Sequence, residues 1–181
     1  MRIKTLSTAL TALALLGAAA QVQAADMNQT LSQSQAAKPV TAKEYVEKAA
    51  VGDLFEVEAG RLALGRSNEK GVKDFAEMMV RDHTDSATKI KGAVAGNGAL
   101  MPPARLDAEH EAMLKQLKDA DNGAFDGLYL RMQRQGHGQA LALHRGYALS
   151  GDDAKLRKAA ADIAPTVQKR MDHLAPLVAA K

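Results

Sequence analysis

Five histidines and no cysteine set the limits of the chemistry open to this chain. A Cys nucleophile, a Cys-ligated zinc site, an iron–sulfur cluster, a disulfide scaffold and a lipoprotein anchor are all excluded. What remains are imidazoles, carboxylates and an arginine that interrupt apolar stripes, and polarity inside such a stripe is the informative signal. His83 sits mid-stripe, four residues after Met79 and seven before Ile90, with Asp82 at the edge. Gln133 and His137 share one flank, four residues apart. Arg170 lies between Val167 and Leu174. At about 100° per residue, Glu58 falls between Leu54 and Leu62 on the inward side, and Glu56 falls toward solvent.

With about 1.5 Å of rise per residue, these groups sort into two layers, separable only to about one helical turn. One holds Glu58 with Arg170 and Tyr129, and the other holds His83 with His137. In the first, a Glu58–Arg170 ion pair would neutralise two charges that are costly alone, since Arg cannot ligate a metal and repels one. The functional counterpart is a carboxylate held ready for a cation. In the second, core histidines bonded to neighbours compete with an imidazole pair that binds zinc, copper or iron. Two imidazoles are too few without a carboxylate, for which Glu58, Asp53 and Asp82 are the candidates. Tyr129, Gln133 and Asp82 complete the expected buried polar network. His110 and His144 read as solvated faces.

Other chemistries lack their residues. The di-iron pattern needs Glu-x-x-His on two helices, but Val80 and Arg134 stand three residues before His83 and His137. No Ser–His–Asp spacing, phosphate-cradling glycine loop or His-Glu-x-x-His occurs, so no catalytic residue is assigned. Aromatics make up 3% of the chain and Trp is absent, which leaves no base-stacking surface.

The elements that must position these groups are helical. Residues 1–24 read as a secretory signal: Arg2 and Lys4, an apolar run from Leu6 to Ala20, then Val22-Gln23-Ala24 for cleavage before Ala25. Removing them takes the net charge from +3 to about +1, too little for a basic nucleic-acid face. The implied location is the periplasm. No later stretch is apolar enough to insert into a membrane, and a protein or other cell-envelope partner stays open. Residues 25–40 are small and polar and read as a flexible leader. Residues 41–181 then read as one bundle domain, opened by a capping box of Thr41 with Glu44.

Four long helices are expected at about 42–65, 68–95, 122–149 and 152–178, with boundaries good to about 2–4 residues. Ser67-Asn68 and Ser150-Gly151-Asp152 are tight turns, Gly151 suited to a left-handed helix end and Asp152 to an N-cap. Between the hairpins, Gly96-Asn97-Gly98 and Met101-Pro102-Pro103 precede a short helix over 107–119. Such a link is long enough to travel the length of the bundle. The fold class is therefore all-α, two antiparallel hairpins joined by a long crossover, the ferritin-like form of a four-helix bundle. An up-down-up-down bundle with a decorated loop is the alternative. Pro165 removes one backbone bond from the last helix, and a kink is expected there.

An ordered series of motifs resembles an exported bacterial family known as domain of unknown function 4142. It runs from Tyr45-Val46 through Ala49-Ala50-Val51-Gly52-Asp53-Leu54-Phe55-Glu56-Val57-Glu58 to Leu62-Ala63. It continues with Val72-Lys73-Asp74-Phe75-Ala76, Met79-Val80-Arg81-Asp82-His83, Leu106-Asp107, Phe125-Asp126, Tyr129, Gln133, His137 and Ala164-Pro165-Thr166-Val167. The resemblance covers about 40–178 and implies a ferritin-like bundle and export, with activity left open. The family's Asp-His and Gln-x-x-x-His map onto Asp82-His83 and Gln133-His137. Where the family usually carries a further His, this chain has Arg170, which implies an ion pair over a shared metal site. The outer-membrane label such proteins often carry has no strand pattern or lipid anchor behind it here. Three roles follow: a non-catalytic envelope protein acting through partner binding or stress protection, a metal-binding protein using His83, His137 and Glu58, and an oxidoreductase.

Overall fold

The computed structural model describes residues 39–180. The signal-peptide reading of 1–24 and the leader reading up to residue 38 lie outside the described residues. Five α-helices and one 3-10 turn make up the described chain: α1 (Ala42–Arg66), α2 (Lys70–Ala93), the turn Gly98–Leu100, α3 (Ala108–Asp119), α4 (Asn122–Ser150) and α5 (Ala154–Ala179).

The helix starts are chemical. Thr41 accepts a hydrogen bond from the Glu44 N–H at 3.3 Å, and the Glu44 carboxylate accepts from the Thr41 N–H at 2.9 Å, so the expected capping box is present. Asp107 caps α3 by accepting from the His110 N–H at 2.9 Å. At α5 the cap is Asp153, which accepts from the Leu156 N–H; the expected cap, Asp152, instead accepts from the Tyr147 hydroxyl at 2.9 Å. Gly151 is not left-handed either. Its φ is −61°, and glycine is needed there because a Cβ would lie 2.5 Å from the Tyr147 ring. The left-handed position is Gly96, φ 84°, just past the end of α2. α5 continues through both Pro165 and Pro176 as one helix.

Arg66, the last residue of α1, fixes the topology. It donates to the carbonyls of Leu117, Lys118 and Ala120 and to Asn122 Oδ1 at 2.9 Å, and its guanidinium lies 4.6 Å over the Phe125 ring. The crossover therefore brings the start of α4 to the end of the bundle where α1 turns into α2. At the opposite end Tyr45 stacks on Tyr147, ring centroids 4.1 Å apart. α1 thus runs antiparallel to α4, and α2 to α5, as the hairpin-and-crossover reading requires. The up-down-up-down alternative would start α4 at the other end.

Two apolar clusters fill the bundle. One gathers Tyr45, Val46, Ile90, Leu141, Leu156, Ile163 and Val167. The other gathers Phe55, Phe75, Met79, Leu117, Phe125, Tyr129 and Leu174. Along each long helix the residues that fall between the two clusters are polar and buried: Asp53 on α1, His83 and Ser86 on α2, Gln133 and His137 on α4, and Arg170 on α5. The core is interrupted by one polar layer. Among the described residues no helix is long and apolar enough to cross a membrane.

Candidate metal centre

The layer is built from helical spacing. α1 contributes Asp53 and Glu56, three residues apart and so on one face. α2 contributes His83, and α5 reaches in with Arg170. α4 contributes Tyr129, Gln133 and His137 at successive four-residue steps. Room for the Glu56 carboxylate exists because α4 has glycine beside it: a Cβ on Gly136 would stand 3.3 Å from Glu56 Oε1.

The hydrogen bonds assign the imidazole tautomers. His83 Nε2 lies 3.0 Å from Arg170 Nη1, and a guanidinium only donates. Nε2 is therefore a bare lone pair, and the ring proton sits on Nδ1, which donates to Asp53 Oδ1 at 2.7 Å. His137 Nδ1 donates to the Gln133 carbonyl at 2.9 Å, which leaves its Nε2 bare as well, buried and without a hydrogen-bond partner. The two rings meet edge to face, centroids 5.7 Å apart. Histidines with Nδ1 tied to an oxygen and Nε2 unprotonated are arranged as metal-ligating histidines are, although His83 Nε2 is here occupied by Arg170. One ligand-type atom from each of Glu56, His83 and His137 lies within 4.8 Å of the others. Glu56 Oε2 accepts from Gln133 Nε2 at 2.5 Å, while its Oε1 lies 3.9 Å from His137 Nδ1.

Burial dominates the protonation. It holds the His83 imidazole well below its ordinary range, with the Arg170 cation adding to the effect. It pushes His137 down to about 3, with His83 and Arg170 adding to the effect and the Gln133 carbonyl opposing it. Both imidazoles are neutral at physiological pH, the form that ligates. Burial raises Glu56 to about 7 against the lowering effect of Gln133 and Arg170. It likewise raises Asp53 to about 7 against the nearby Ser86 hydroxyl and Arg170. On α4 the Tyr129 hydroxyl and Gln133 Oε1 also lack hydrogen-bond partners. Arg170 is 2% exposed, and its Nε lies 3.3 Å from Asp82 Oδ2. Outward from Arg170, Asp82, Asp85, Ser86, Lys89 and Thr166 line a cleft of about 220 Å³ that opens to solvent.

The expected residues are partly regrouped. His83 and His137 do meet, and Tyr129, Gln133 and Arg170 are buried with them. Glu58 does not join: it is exposed, and Glu56 takes the inward position assigned to it. The cause is the inward face of α1, where Ala49, Ala50, Ala59, Gly60 and Ala63 stand among the bulkier Tyr45, Val46 and Phe55. A Cβ on Gly60 would lie 2.9 Å from Val80 Cγ2. Leu54 and Leu62, used to phase the helix, are only half-buried at its flank. The Glu58–Arg170 pair is accordingly absent, Arg170 bonding to Asp82 and His83 instead, and the two expected layers are one. His144, read as solvated, is buried with its Nδ1 2.9 Å from the Tyr45 hydroxyl. Its spacing seven after His137 and three before Tyr147 was the available signal. His110 is half-buried, edge-on to Phe55 at 5.5 Å.

The family model described as "Domain of unknown function (DUF4142)" matches residues 27–177. No curated protein matches the chain significantly. Two solved structures share the fold. A fragment of a DUF305 protein from Deinococcus radiodurans superposes with a TM-score of 0.66 at 14% identity, covering 77% of this chain and 96% of its own. CopM in its Cu(II)-bound form superposes with a TM-score of 0.62 at 17% identity, covering 76% of this chain and 95% of its own.

Proposed function

This chain belongs to the DUF4142 family, and from its buried polar layer we propose that it is a periplasmic metal-binding protein holding one divalent transition-metal ion between Glu56, His83 and His137. The observation that carries the reading is the pairing of two neutral imidazoles, each with Nδ1 held by an oxygen, around one buried carboxylate. Two nitrogens and a carboxylate oxygen suit Zn(II), Cu(II) or Fe(II). Bonds of about 2.0–2.2 Å require the three side chains to draw in slightly on binding. Copper(II) is the first ion to test, because imidazole suits it and because CopM, a bundle of similar fold, is described in a Cu(II)-bound form. The site offers three ligands, too few for the paired-metal oxidoreductase considered above.

The test is a titration of chelator-stripped protein with Cu(II) and Zn(II), followed by desalting and elemental analysis. One ion per chain is the expected result, lost in a His83→Ala, His137→Ala double variant that keeps its helical spectrum. Equal uptake by that variant would sink the proposal. Export is tested separately: the protein recovered from an osmotic-shock fraction should begin at Ala25.

A further inference from the structure

We propose that Arg170 is the cation the metal displaces, an arginine that occupies the site in the metal-free protein and moves into the cleft between α2 and α5 when an ion binds. The inference rests on the metal-binding reading and concerns how that site discriminates among ions. Three observations lead to it. Arg170 Nη1 donates to His83 Nε2 at 3.0 Å, the same lone pair a metal would need. That lone pair cannot serve both, and a guanidinium held beside a divalent ion is repelled by it.

The second observation is the exit. Arg170 Nε already lies 3.3 Å from Asp82 Oδ2, a carboxylate that lines the solvent-open cleft. Asp85 and Thr166 line the same cleft. A turn about the aliphatic bonds of the side chain can release His83 and leave the guanidinium within reach of the cleft carboxylates. The third is charge. Arg170 is 2% exposed and its guanidinium lies 3.0 Å from His83, so the layer already holds one resident cation. Departure of the guanidinium avoids adding its charge to the two of a divalent ion in a buried layer.

The consequence is a threshold. An ion enters only if its bonds to His83, His137 and Glu56 outweigh the guanidinium contact, and apparent affinity is reduced by the fraction of chains in which Arg170 covers His83. Strong imidazole binders are admitted over weak ones.

The experiment uses the full chain, chelator-stripped, with Cu(II) and Zn(II) as probes. Arg170→Met should bind Cu(II) about tenfold tighter than wild type or better, whereas loss of a merely structural arginine would weaken binding. In ¹⁵N-labelled wild-type protein the Arg170 Nε–H signal should shift on addition of diamagnetic Zn(II). If neither wild type nor Arg170→Met takes up an ion, the metal-binding reading fails and this inference fails with it. If wild type binds, an unchanged or weaker affinity in Arg170→Met together with an unmoved Nε–H signal overturns the displacement and leaves the metal site standing. If Arg170→Met does not fold, the signal in wild type decides alone.

Discussion

His83 and Arg170 are joined Nε2 to Nη1 at 3.0 Å, and that one contact orients a whole chain of groups. Because the guanidinium can only donate, the imidazole must donate from its other nitrogen, and Asp53 receives that proton at 2.7 Å. α5, α2 and α1 are thereby linked through a single ring. Removing any member leaves a buried group without its partner, at a cost of about 1–3 kcal/mol.

Glu56 makes the metal-free protein less stable in alkali. Its folded-state pKa of about 7 lies above the ordinary 4.5, chiefly because burial penalises the charge. A raised pKa means a contribution that is complete below the unfolded value and lost as pH rises from about 4.5 through 7. Glu56→Gln keeps an oxygen to accept from Gln133 and removes the ionisation. In chelator, urea denaturation should find this variant more stable than wild type by about 1–3 kcal/mol at pH 8, with the gap closing near pH 4.5. The same variant should lose metal.

His144 acts in the opposite direction. Burial lowers its pKa to about 4 from the ordinary 6.5, so the unfolded chain takes up a proton in acid before the folded one does. Stability falls as pH drops from about 6.5 to 4. His144→Gln retains a polar partner for the Tyr45 hydroxyl and does not titrate. Denaturation at pH 7 and pH 4.5 should show an acid-side loss smaller by about 1–3 kcal/mol in the variant; an equal loss would mean that His144 is solvated.

Gly60 sets the α1–α2 separation. A Cβ there would lie 2.9 Å from Val80 Cγ2 and 3.1 Å from the Ala76 carbonyl oxygen, and the carbonyl belongs to a helix backbone that cannot yield locally. Gly60→Val should therefore destabilise by about 1–3 kcal/mol, read as a drop in thermal midpoint. It should also weaken metal uptake, since Asp53, Glu56 and His83 lie across the same interface.

Thr41 supplies both halves of a reciprocal cap with Glu44. Thr41→Ala should cost about 0.5–2 kcal/mol and speed amide exchange at Glu44 and Tyr45, with metal affinity unchanged because the site lies more than two turns further along α1.

Much of the bundle was legible in sequence because its signals are local. The capping box, the paired prolines and glycines of the crossover, and the interrupted stripes on α2 and α5 each reflect chemistry within one turn. His83 and Arg170 were visible as polar breaks among Met79, Ile90, Val167 and Leu174. α1 misled because its inward side carries alanine and glycine, which have little hydrophobic weight, while its leucines flank the contact. The phase came out rotated and Glu58 stood in for Glu56. His144 was missed for a related reason: its burial depends on Tyr45, ninety-nine residues away. The turn at Gly151 is shaped by the Tyr147 ring four residues before it, a side-chain contact that backbone preferences of single residues do not encode.

The polar layer that parts the two apolar clusters also keys the assembly of the helices. An all-apolar seam would tolerate a slide of one turn, since leucine against valine is little different from valine against leucine. Here each long helix carries its polar group at one height, and a slide would leave Asp53, His83, His137 or Arg170 facing the aliphatic groups of either cluster. Misregistered packings and the alternative hairpin arrangement are penalised together. The groups proposed to hold a metal therefore also identify the native alignment, so a substitution that empties the layer with hydrophobic residues should be paid for in heterogeneity of packing even where it gains stability.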